Sequence, residues 1–89
     1  MKFSIEKKLE GTLVRAGTIE TKNGVIKTPA FVAVGTKATV KSLTAEQIRD
    51  LKAQVVLANT YHLYLQPGPD VVAQAGGFGP FMGWHGPTM

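Results

Sequence analysis

Two histidines, His62 and His85, are the only side chains here of the type best suited to acid–base work at neutral pH, and twenty-three positions separate them. A metal site needs three or four ligands, and a chain with no cysteine and six acids, five of them within residues 1–52, offers no such spacing. Nucleophilic chemistry has hydroxyls to draw on at Thr36, Ser42, Thr44 and Thr60, but none sits in a strand-to-helix elbow with a matched base. The run Gly76-Gly77-Phe78-Gly79 is glycine-rich, yet it follows a helical pattern rather than a strand. It matches no phosphate-loop spacing, and a helix C-cap followed by a turn accounts for it.

Two short runs hold the remaining chemical interest, Val34-Gly35-Thr36 and Asn59-Thr60-Tyr61-His62-Leu63. Asn59 has donor and acceptor groups suited to orienting a substrate hydroxyl or a catalytic carboxylate; equally, it can satisfy the backbone of its own turn. Tyr61 and His62 read either as a partly buried polar-aromatic pair or as a contact between subunits. Phe81, Met82 and Trp84 read as core rather than as a base-stacking platform. Lys37, Lys41 and Lys52 either solubilise a face or meet a phosphate backbone.

The elements that must position these runs follow from local pattern. Residues 12–15 and 17–22 read as short strands, with Asn23-Gly24 as a two-residue hairpin turn, both positions tolerating positive φ, and 25–28 as the return strand. Residues 30–34 are apolar without alternation, as in a parallel strand buried on both faces, and Gly35 ends the run. Thr44-Ala45-Glu46-Gln47 fits a capping box, and Leu43 and Ile48 are spaced as a hydrophobic staple. A helix is therefore predicted from 45 to about 52, with Ile48 and Leu51 on one apolar stripe. Residues 55–58 read as a second buried strand, which completes a βαβ unit. Gly68-Pro69 opens another helix that runs to about Ala75, with Gly76 in the C-terminal left-handed position. After it comes an apolar stretch with no partner. In such folds ligands bind at the carboxyl ends of the parallel strands, where both chemical runs fall.

Composition limits the setting. With 89 residues, 44% of them hydrophobic and 18% charged, the chain has globular rather than disordered composition. All ten Lys and Arg and five of the six acids lie within residues 1–52, and Asp70 is the only formal charge beyond them. Residues 71–89 are uncharged and carry Phe78, Phe81, Met82, Trp84 and Met89. Such a segment packs beneath its own small domain or belongs inside a larger fold. A parallel sheet needs both faces covered, and two strands with one helix leave edges open, so the larger fold is expected and the chain alone should be marginal. No apolar run near the N-terminus suits a secretory signal, and none approaches the roughly 20 residues of a membrane span. A cytoplasmic location without a membrane partner is the expectation.

Specific residues also carry a resemblance. Thr28-Pro29-Ala30-Phe31 leads into Val34-Gly35-Thr36. Leu57-Ala58-Asn59-Thr60-Tyr61-His62-Leu63 follows with Leu65, Pro67 and Gly68, then Gly76-Gly77, and then Phe81-Met82-Gly83-Trp84 ahead of Gly86-Pro87. In this order they resemble the opening of the tRNA-guanine transglycosylases, or queuine tRNA-ribosyltransferases, of the bacterial and eukaryotic queuine type, over nearly the whole chain from about Gly11. The resemblance implies an α/β fold, the N-terminal part of a (β/α)8 TIM barrel: a β cap over 1–28, then barrel strands one and two with their following helices over 29–89. It implies a pentosyltransferase that exchanges guanine at the tRNA anticodon wobble position for a 7-deazaguanine, preQ1 or queuine, through a covalent aspartyl-ribose intermediate in queuosine biosynthesis. It further implies a homodimer that takes the tRNA anticodon loop, and a zinc ion in the full-length family.

Carried over position by position, the resemblance makes Val34, Leu57 and Asn59 the wall of the ribose and base pocket. It places Thr36, Lys41, Tyr61, His62, Phe81 and Trp84 near the homodimer contact. It assigns no catalytic residue and no metal ligand within this chain, since the nucleophilic aspartate and the Cys/His zinc ligands are expected further along; the 89 residues alone are expected to be inactive. Gln66 stands where the family usually has Arg. Two other readings remain: a non-catalytic barrel remnant that docks on a full-length subunit, and a small basic RNA-binding module.

Overall fold

A computed structural model describes residues 1–89. Three antiparallel strands open the chain, β1 (Lys2–Lys8), β2 (Arg15–Thr21) and β3 (Gly24–Thr28), in the spatial order β1-β2-β3. The sequence pattern missed β1, because its alternation of Phe3 and Ile5 with Lys2, Ser4 and Glu6 is short and ends at Lys7-Lys8, where a bulge between Ile5 and Lys7 shifts the register. Of the strand expected over 12–15, only Arg15 is strand, as the start of β2; residues 12–14 are instead part of a turn. Its ends close through Leu9 N–H to Val14 O at 3.0 Å, and the Thr12 hydroxyl donates to Leu9 O at 2.9 Å. The hairpin also turns one residue earlier than expected, through Lys22 and Asn23, with Thr21 paired to Gly24. Only Gly24 takes a positive φ, at 136°.

Register places Phe3, Ile5, Ile19 and Ile26 on one face of this sheet, and Ile26 is buried. The sheet is tied to the rest by Gln54, whose side chain accepts from Lys27 N–H at 2.8 Å and donates to Lys27 O at 3.1 Å. Gln54 immediately precedes β5 (Val55–Leu57), so the antiparallel sheet sits at the amino ends of the parallel strands.

β4 (Val32–Val34) pairs with β5 in parallel, and α1 (Ala45–Asp50) crosses between them. The capping box forms as expected: Thr44 Oγ1 accepts from Gln47 N–H at 3.1 Å, and Gln47 Oε1 accepts from Thr44 N–H at 2.9 Å. Ile48 is buried on the inner face of α1, but Leu51 is the C-cap and 70% exposed, so the expected stripe ends one turn early. α2 (Thr60–Leu65) follows β5 where a loop was expected. α3 (Pro69–Gln74) begins at Pro69 and ends before Gly76, whose φ is 92°.

The stretch expected to lack a partner instead forms α4 (Phe78–Met82) and then returns to the sheet. Thr88 bridges Val56 in parallel: Val56 N–H donates to Pro87 O at 3.2 Å, Met89 N–H to Val56 O at 2.9 Å, and Ala58 N–H to Met89 O at 3.0 Å. Residues 87–89 thus lie beside β5 on the edge opposite β4. Around β5 the core gathers Ala33, Ile48, Val56 and Trp84, with Met82 and Phe78 packed against them. Trp84 is 3% exposed, and its Nε1–H donates to Pro87 O at 3.0 Å. Gly86 permits this packing, because a Cβ there would come within 2.8 Å of the indole. The architecture is mixed α/β, with one antiparallel and one parallel sheet and no closed barrel.

Candidate functional site

The two chemical runs lie side by side at the carboxyl ends of β4 and β5. Val34 is in register with Leu57, and Gly35 N–H continues the ladder to Leu57 O at 2.7 Å. Strand alternation decides which way these residues point. Ala33 and Val56 belong to the core under the helices, so Val34 and Leu57, one position on, lie on the opposite face of the sheet. Val34 is 56% exposed there, and Leu57 is half-buried. Two adjacent aliphatic side chains on an open sheet face form an apolar wall against which a flat ring can lie.

Asn59 stands just past that wall and caps α2. Its Oδ1 accepts from Tyr61 N–H at 3.0 Å, and its backbone O accepts from Leu63 N–H at 3.1 Å. The turn-satisfying role is therefore present. It occupies only the carbonyl of the side chain, and the amide NH2 of this exposed residue keeps both donors available.

Beyond β4 a tight 3₁₀ turn, Thr36–Ala38, packs against α2 and α4. Two consecutive non-glycine residues in it are left-handed, Lys37 at φ 56° and Ala38 at φ 61°. Lys37 Nζ donates to Gln66 Oε1 at 3.1 Å, which joins the loop after β4 to the end of α2. Sequence reasoning singled out neither the strained turn nor this bond. The only signal for the bond was the unusual residue at Gln66, and nothing local foretells left-handed Lys and Ala.

The remaining candidates spread over several surfaces. Thr36 is exposed beside Lys37, and Tyr61 is 65% exposed at the start of α2. Its ring lies 5.8 Å from that of half-buried His62, tilted by 57°. Lys41 is exposed in the turn closed by the Val40–Leu43 bridge. Phe81 is half-buried on α4. Trp84 is the exception: placed near a contact between copies by the resemblance, it is a core side chain with almost no surface to offer. No three His, Cys, Asp or Glu side chains come together, so these residues do not fit a zinc ion. A groove of about 320 Å3 runs along the free edge of β4 between Phe31, Val40, Leu43 and Leu51, and Val34 lines it as well. Its lining is mostly apolar, with Lys52 and Gln54 as its polar members.

A sequence model of the family described as queuine tRNA-ribosyltransferase matches residues 10–89 of this chain. The chain belongs to that family. Among its relatives, the queuine tRNA-ribosyltransferase of Desulforudis audaxviator is 49% identical over 87 residues, covering 98% of this chain and 23% of the relative. That of Synechococcus sp. (strain CC9605) is 52% identical over 87 residues, with the same two shares. That of Desulforamulus reducens is 48% identical over 89 residues, covering all of this chain and 24% of the relative. The chain thus spans about a quarter of the length of the curated relatives it matches. No helix is long and apolar enough to cross a membrane.

Proposed function

We propose that this chain is the N-terminal part of a tRNA-guanine transglycosylase, a pentosyltransferase that replaces guanine at the anticodon wobble position with a 7-deazaguanine in queuosine biosynthesis. Membership of the queuine tRNA-ribosyltransferase family carries the reading. The parallel order of β4, β5 and residues 87–89 supports it, since three adjacent parallel segments in chain order are how a (β/α)8 barrel begins. In this reading residues 1–28 form a β cap at the amino ends of the barrel strands, and residues 29–89 supply the first strands and helices. The strand-end loops then face the substrate.

Within the reaction, residues 1–89 bind and orient. Val34 and Leu57 flank the flat base and the ribose and keep water from that side of the pocket. The free amide donors of Asn59 hold a ribose hydroxyl or the reacting carboxylate. The wobble nucleotide must leave its stack to reach this wall. A carboxylate outside residues 1–89 attacks the anomeric carbon, and guanine departs with the glycosidic electron pair. The incoming base then attacks the glycosyl ester and releases the carboxylate, as in retaining glycosyl transfer. No step passes through zinc on these residues, and the 89-residue chain alone is inactive. Thr36, Lys41, Tyr61, His62 and Phe81 border the contact between two copies in a homodimer, with Trp84 supporting it from below. The working compartment is the cytoplasm, where the tRNA substrate resides.

Deletion of the gene followed by mass spectrometry of tRNA nucleosides tests the reading. Loss of the queuosine nucleoside, with restoration on re-expression, is expected. Unchanged queuosine in the deletion strain, with no second gene of the family present, refutes it.

A further inference from the structure

Strand alternation sends Val34 and Leu57 to the open face of the parallel sheet, and it sends Gly35, the residue after Val34, back to the helix side with Ala33. Gly35 is buried there, so it offers no surface to a second copy. Its φ is −113°, and the backbone conformation therefore does not call for glycine. The surrounding space does. A Cβ at this position would stand 3.1 Å from Val56 Cγ1 and 3.1 Å from Met82 Cε, against an ordinary carbon–carbon contact of about 3.5 to 4.0 Å.

The two neighbours differ in how far they can give way. Met82 presents the end of an unbranched, flexible side chain that can swing aside. Val56 cannot: it is fully buried and branched at Cβ, and its backbone is bonded to residues 87–89 through Pro87 O at 3.2 Å and Met89 N–H at 2.9 Å. A side chain at position 35 would therefore push the end of β4 away from β5 by about 0.4 Å, the shortfall from an ordinary contact. The bond that yields is Gly35 N–H to Leu57 O, at 2.7 Å the last rung holding Val34 beside Leu57.

We propose that Gly35 is a positioning residue for the reaction: its missing side chain lets Val56 and Met82 back the end of β4, which keeps Val34 and Leu57 side by side as the apolar wall for the base. The proposal rests on the reading of that wall as part of the base pocket, and adds the residue that sets its geometry. Contacts made by such a wall are alike in the bound substrate and in the transition state, so displacing it acts on KM more than on kcat.

Guanine exchange by the intact protein, with tritiated guanine varied at saturating tRNA, tests this. Gly35→Ala should raise KM for guanine about threefold to tenfold and keep kcat within about twofold, since a misplacement of about 1 Å can cost about a hundredfold and this one is smaller. Gly35→Ser should raise KM at least as far. Gly35→Ala/Val56→Ala should bring KM back to within about twofold of Val56→Ala alone, because room behind the strand removes the push. Gln54→Leu loses both bonds to Lys27 at the amino end of β5; it should lower the melting temperature and leave KM unchanged. An unchanged KM for Gly35→Ala, in a protein whose wild type exchanges guanine, overturns the proposal and leaves the proposed function standing. A KM that stays raised in the double variant, or a rise of the same size for Gln54→Leu, overturns it as well. So does a KM for Gly35→Ser below that of Gly35→Ala, a comparison that needs no change at Val56. A wild-type protein that exchanges no guanine overturns both the proposal and the function.

Discussion

Replacing Trp84 tests how this small structure is held together. The indole is 3% exposed and packs with Ala33, Ile48 and Val56, one from each strand of the pair and one from the crossing helix. Truncating a buried tryptophan to alanine costs about 3 to 5 kcal/mol, as lost transfer energy plus the cavity left behind. Only ten of the 89 residues are buried, so the isolated chain belongs at or below the lower end of domain stabilities, about 5 kcal/mol. Trp84→Ala should therefore unfold it at 25 °C. Trp84→Phe keeps most of the ring and loses the bond from Nε1 to Pro87 O. That carbonyl retains Val56 N–H at 3.2 Å, so the expected cost is about 1 to 2 kcal/mol. Urea unfolding followed by far-ultraviolet circular dichroism reads both. At a slope near 1 kcal/mol per molar urea, the Phe variant should shift the midpoint down by about 1 to 2 M, and the Ala variant should show no folded baseline. A midpoint for Trp84→Ala within about 0.3 M of wild type would refute the reasoning, because the indole would then not be core.

Three further outcomes are expected. Thr44→Ala removes one half of the capping box and should cost about 1 kcal/mol in the same urea experiment, whereas Thr44→Ser should cost much less. Asn59→Asp keeps the acceptor that caps α2 but loses the amide donors; in the intact protein it should leave the melting temperature within about 2 °C and reduce turnover at least tenfold, while full turnover would show that Asn59 serves only as a cap. Amide hydrogen exchange on the isolated monomeric chain should give weak protection across residues 30–58, and strong protection throughout would contradict its expected marginal stability.

Local signals were the legible ones. The capping box at Thr44 and Gln47, the proline start of α3 and the left-handed Gly76 each depend on a few neighbouring residues, and the structure has all three. Parallel pairing of β4 with β5 was also readable, because unbroken apolar runs around a capped helix have few other arrangements. What escaped depended on distant partners. β1 hides behind lysines and a bulge, α2 lacks an apolar period of its own, and the return of residues 87–89 to β5 rests on backbone bonds that composition does not encode. At the candidate site the neighbouring placement of the two runs was legible, since both close predicted parallel strands, whereas the part of Val34, Leu57 and Asn59 as a pocket wall came only from the resemblance. The Lys37 to Gln66 bond was not legible, since it joins residues twenty-nine positions apart through a strained turn.

The most direct measurement is incorporation of tritiated guanine into tRNA. Exchange by the intact protein, competed by a 7-deazaguanine, is expected, and none above background by the 89-residue chain alone. Exchange catalysed by the isolated chain, or none by the intact protein with a wobble-guanine tRNA, would contradict it.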